Sequence, residues 1–142
     1  MLCVAMSFAF FGMLRVSEYT LARSVKFSPN STLLCQDVSL VGDCIHIYIK
    51  ASKTDPFRSG VTIRVARSRG RCCPVRAFVH YRSLRRFWSG PLCSFADGSF
   101  LTRSRLSLIL NLCLHQSNVS THSFRIGGAS AAAAVGVPDS SI

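Results

Sequence analysis

His122-Ser123-Phe124-Arg125 sets an imidazole and a guanidinium three residues apart at the expected start of a helix. Residues at that spacing share a helix face. Helix N-terminal amides favour an anion, so the pair is well arranged to hold a phosphate. The same four residues also suit a capped helix with a surface arginine, and taken alone the tetrapeptide leaves these readings level. Gly12-Met13-Leu14-Arg15-Val16-Ser17-Glu18 is the second signal. An arginine beside apolar residues is costly unless matched. Glu18 supplies the match, either as a plain ion pair or as a brace that leaves part of the Arg15 fork for a ligand. The third is Ser52-Lys53-Thr54-Asp55. A lysine at a turn tip is most often solvated, but in a phosphoryl-transfer site it can protonate a leaving oxygen.

The elements that carry these residues follow from local pattern. Met1 to Tyr19 reads as one buried helix ending near Arg15 and Glu18. Val38 to Leu40 is a short strand, and Gly42-Asp43 a turn. From Cys44 to Ala51, Ile45, Ile47 and Ile49 alternate with His46, Tyr48 and Lys50, the period of a half-buried strand. Val61, Ile63 and Val65 repeat the pattern, so the three pieces make an antiparallel sheet with Lys53 at its second turn. Pro74 opens a helix running to about Trp88. Thr102 to Gln116 is a helix apolar nearly all round, which predicts a central position. Ser120-Thr121 caps a helix from His122 to Val135, Gly136 stops it, and Pro138 begins another. The expected fold is α+β, mainly helical with a small three-stranded antiparallel sheet.

The 142 residues suit one domain. With 49% hydrophobic and 16% charged residues, a globular core is favoured over disorder. The 17 Lys+Arg against 6 Asp+Glu give a net charge of +11. Lys26, Lys50 and Lys53 are the lysines; the rest are arginines, which grip phosphate oxygens two at a time. No acid lies between Asp55 and Asp97, an interval holding Arg58, Arg64, Arg67, Arg69, Arg71, Arg76, Arg82, Arg85 and Arg86. That run is either a solvated face or a track for nucleic-acid phosphates, and the track is favoured, with Arg58, Arg67, Arg69, Arg71, Arg82, Arg85 and Arg86 as its contacts. The 7 cysteines include no CxxC pair, so no metal site is expected, and reduced thiols in an intracellular protein are the simpler account. The apolar start lacks a preceding basic residue and is too short to span a bilayer, so neither signal peptide nor membrane partner is expected.

In their order, the Arg15 segment, the Lys53 hairpin and the His122–Arg125 helix resemble the catalytic domain of tyrosine recombinases, the phage-type integrases. The eukaryotic, transposon-borne branch is the most similar. It carries stretches like Ala9-Phe10-Phe11-Gly12-Met13-Leu14-Arg15-Val16-Ser17-Glu18 and Thr121-His122-Ser123-Phe124-Arg125-Ile126-Gly127. Cys72-Cys73-Pro74-Val75-Arg76-Ala77 and Phe95-Ala96-Asp97-Gly98-Ser99 are similar too.

The resemblance implies an integrase-like core and roles for single residues. Arg15 and Arg125 would grip the scissile phosphate, Lys53 would protonate the leaving 5′ oxygen, and His122 would bind phosphate and assist proton transfer. Glu18 would hold the Arg15 helix. The implied chemistry is breakage and rejoining of DNA, as in site-specific recombination and integration, through a covalent phosphotyrosine with no cofactor. Implied partners are duplex DNA and further recombinase protomers, with no small-molecule substrate, in the nucleus of a eukaryotic host. The family's chain continues to a His or Trp ligand and then the attacking tyrosine, whereas this sequence ends at Ile142 before both. Residues 1–142 would then be part of a catalytic domain, without the N-terminal core-binding domain, and inactive alone. A non-catalytic DNA-binding remnant of a mobile-element recombinase, or a product with no stable fold, are the alternatives.

Overall fold

A computed structural model of the chain describes residues 1–22, 26–50, 59–114 and 119–138. Its described residues form five α-helices, one 3-10 turn and a three-stranded antiparallel sheet, a small α+β fold.

Helix α1 (Leu2–Phe11) is apolar on every side, and it is central. Val4, Ala5, Phe8 and Ala9 are fully buried. It packs against α3 (Pro74–Leu84) and α5 (Ser123–Ala134). The Phe8 and Phe78 rings stack with centroids 6.1 Å apart. The single helix expected from Met1 to Tyr19 is instead broken. Met13 takes a φ of 51°, which an α-helix cannot continue through. The Phe8 carbonyl accepts from the amides of Gly12, at 3.0 Å, and Leu14, at 3.5 Å, which hooks the chain around the end of α1. Helix α2 (Val16–Tyr19) then starts in a new direction.

The sheet runs β1 (Val38–Val41), β2 (Cys44–Ile49), β3 (Val61–Ala66), in that order and with the expected alternation. Ile45 pairs with Val65, Ile47 with Ile63 and Ile49 with Val61. Ile45, Ile47 and Ile49 face the core, while Tyr48 stands outside over Gly60. A Cβ at Gly12 would meet methyl groups of Val65 and Ile63 at 3.4 and 3.6 Å, so β3 lies against the C-terminal end of α1.

Helix α3 ends at Leu84 rather than near Trp88, because Arg85 turns extended and inward. Helix α4 (Arg103–Leu114) departs further from expectation. It is not central: Leu106 and Leu110 are buried, but Leu108 and Leu112 are 58% and 64% exposed. Composition showed that every face was apolar, but not which face would find a partner. Helix α5 is capped differently from expectation as well. His122 is its N-cap residue, with no side-chain cap bond, and the Ser120 hydroxyl accepts the His122 amide at 3.2 Å. Gly136, with φ 83°, follows its C-terminus as expected. The helix expected from Pro138 lies outside the described residues. Among the described residues no helix is long and apolar enough to cross a membrane.

Candidate functional site: the C-terminal end of α1

Three segments distant in sequence meet where α1 ends. The first is the hook that delivers Arg15. The Arg15 amide donates to Glu18 Oε2 at 2.7 Å, and its Nη1 to Glu18 Oε1 at 3.3 Å. One carboxylate therefore holds both the backbone and the guanidinium of Arg15. The Glu18 side chain is 8% exposed and that of Arg15 29%, so the acid is the buried member and part of the arginine reaches solvent.

The second segment is α5. A Cβ at Gly128 would fall inside contact distance of the Phe10 carbonyl oxygen, and one at Gly127 would lie 3.4 Å from the Phe10 ring. Only a glycine lets the two helix backbones approach this closely. Helical spacing places Arg125 one turn before Gly128 on the same stripe, and His122 one turn before that. Arg125 is half-buried and His122 exposed. The half-buried Phe124 packs on the core and anchors this first turn. The Ser123 amide of this turn donates to the Ser120 carbonyl at 3.0 Å.

The third segment is β3, laid against Gly12. Its first pair, Ile49 with Val61, forms the root of the hairpin whose loop contains Lys53. Lys53 and Arg58 themselves lie outside the described residues.

The expected phosphate track is modified. Arg85 does not stand in solvent. Its Nη1 donates to Cys35 Sγ at 2.9 Å and to the carbonyls of Pro91 and Leu92 at 3.0 and 2.9 Å, and its Nη2 donates to the Ser89 carbonyl at 2.8 Å. It is a strut tying α3 to the following loop. Arg67 is exposed but paired with Asp43 at 2.7 Å. Arg69, Arg71, Arg82 and Arg86 are exposed, Arg82 lying over the Trp88 ring and Arg86 over Phe87.

The Tyr19 hydroxyl is buried without a hydrogen-bond partner among the described residues. Burial, followed by the nearby Cys93, pushes its pKa up to about 12. Tyr81 donates to the Leu92 carbonyl at 2.6 Å, and burial raises its pKa as well. Tyr48 sits on the outer sheet face.

Two features went unnoticed in the sequence. Cys73 is the N-cap of α3, with a pKa lowered to about 7. Pro74 in the first helical position was the signal for it. A cavity of about 490 Å³ lies between α2, residues 26–32 and the start of α4. It contains none of Arg15, His122 and Arg125, and its walls come together only through tertiary folding.

Comparison with known protein families, curated proteins and solved structures finds no match to this chain. The functional reading therefore rests on its residues and their placement.

Proposed function

We propose that this chain is part of a DNA strand-exchange catalytic domain of the tyrosine recombinase kind, with an integrase-like core, and that it grips a phosphodiester of duplex DNA without cleaving it alone. The observation that carries this reading is the placement of the Arg15 hook, of β3 through Ile63 and Val65, and of α5 through Gly127 and Gly128, against one end of α1. Two guanidiniums there would neutralise the charge that builds on a pentavalent phosphate, an electrostatic role usually worth at least about a hundredfold in rate. His122 would share a proton with a phosphate oxygen, and Lys53 would protonate the leaving 5′ oxygen. Binding without cleavage is favoured because Tyr19 and Tyr81 are buried and hard to ionise. The exposed arginines Arg69, Arg71, Arg82 and Arg86 would extend contact along the backbone.

The test is titration with duplex DNA across a salt series. Log affinity should fall linearly with log salt. Arg125→Ala should weaken binding about tenfold or more while leaving the far-ultraviolet circular dichroism unchanged. No binding at low salt, or unfolding caused by Arg125→Ala, overturns the reading.

A further inference from the structure

The cavity beside α2 is lined by none of Arg15, His122 and Arg125, so what it suggests does not depend on the strand-exchange reading. Its floor is apolar, built from Val16, Leu21 and Phe27. Among its described lining residues are two cations, Lys26 and Arg103, and no acid. Both are exposed, and among the described residues neither is ion-paired. Hydroxyl side chains of Ser28 and Ser31 add donors to the wall. Phe27 is 40% exposed, and its ring is held edge-on by Phe100 with centroids 5.6 Å apart. A large aromatic left half in solvent but fixed by a neighbour offers a ready stacking surface.

We infer that this cleft binds a nucleotide unit, its base against Phe27 and its phosphate between Lys26 and Arg103. Volume supports this assignment: about 490 Å³ lies within the range of small-ligand sites and exceeds what a bare anion needs. The charge pattern supports it as well. Cations without acids select an anion, while an apolar floor selects a ligand with a flat, poorly hydrated body. A free nucleotide and a nucleotide within a strand present the same chemistry, and the experiment separates them.

The probe is deoxyadenosine 5′-monophosphate, titrated into the isotope-labelled protein while backbone amide shifts are followed. Deoxyadenosine, inorganic phosphate and a short single-stranded oligodeoxynucleotide form separate arms. The amides of Phe27, Ser28, Ser31 and Arg103 should move with the monophosphate. Deoxyadenosine and inorganic phosphate should each bind about tenfold more weakly, since each lacks one half of the recognition. Phe27→Ala should weaken the monophosphate about fivefold or more. Arg103→Gln should do so about tenfold, and Lys26→Gln repeats that test at a loop position should Arg103→Gln fail to fold. The shifts that the monophosphate causes at Phe27, Ser28, Ser31 and Arg103 should saturate independently of any at residues 122–125, which separates this site from the phosphate grip at α1. If the oligonucleotide moves the same amides, the source is a strand; if only the monophosphate does, the source is a free nucleotide, and either result supports the site. Shifts confined to other residues, equal affinity for inorganic phosphate, or unaltered binding by the variants would overturn it.

Discussion

Cys73 shows how one atom's surroundings set a measurable property. Desolvation works against its ionisation, but hydrogen bonds from the amides of Arg76, Ser68 and Val75 and from the Ser68 hydroxyl outweigh that and lower the pKa from 9.0 to about 7. Between those values the folded chain has released a proton that the unfolded chain still holds. Stability must then rise with pH from about 7 to 9, and this contribution is lost as pH falls through 7. Cys73→Ser keeps a good N-cap side chain without the ionisation. Urea midpoints measured from pH 6.5 to 9.5 should climb more steeply in the native protein than in that variant; parallel curves would refute the shift. Gly127 and Gly128 offer a second test. An alanine at Gly128 drives a methyl group into the Phe10 carbonyl, and backbone cannot yield as a side chain can. Gly128→Ala should cost about 1–3 kcal/mol in chemical denaturation. Gly127→Ala meets only the Phe10 ring at 3.4 Å and should be neutral or gain up to about 1 kcal/mol from helix propensity. Equal effects at both positions would mean that the helices do not cross there.

The end of α3 separates two uses of the same side chain. Arg82, Arg85 and Arg86 are close in sequence and all read as phosphate contacts by composition. Packing gives Arg85 a different task, because the chain leaves the helix at that residue and its guanidinium meets the carbonyls of Ser89, Pro91 and Leu92. Removing it takes a donor from each of those carbonyls and empties the guanidinium's place over the Tyr81 and Trp88 rings. Arg85→Ala should therefore cost about 2–3 kcal/mol of stability. Arg86→Ala should stay within about 0.5 kcal/mol. In DNA binding the order should reverse. Arg86→Ala should lower the salt slope by about one, the loss of a single phosphate contact. Denaturation and salt titration of both variants check the pair. A stability loss at Arg86 matching that at Arg85 would contradict the strut.

Across the whole molecule, legibility followed the range of the interaction that decides each feature. The isoleucine alternation of β2 is local, and its start at Cys44 and its antiparallel pairing were readable, although the strand ends at Ile49, short of the expected Ala51. The hook at Met13 was not, since no residue type there announces a positive φ. The exposed side of α4 was not readable either, because an all-apolar helix does not say which neighbours exist. For the candidate site, the types and order of Arg15, His122 and Arg125 could be read, whereas the close approach of α5 to α1 depends on two glycines. That dependence makes α1 the organising element. Phe8, fully buried, touches the chain's interior at the point where α1 meets α3, and through Phe78 it is linked to Trp88, whose ring lies 5.6 Å from that of Phe78. The one tryptophan thus reports on α3 packing, while circular dichroism reports on all helices together. Phe8→Leu leaves a small void with partial relaxation and should cost about 1–2 kcal/mol. If α1 is the shared core of sheet and helices, tryptophan fluorescence and circular dichroism should lose stability by the same amount and remain coincident through the urea transition. Separation of the two curves, with fluorescence shifting alone, would show instead that α3 and its loop unfold apart from the other helices.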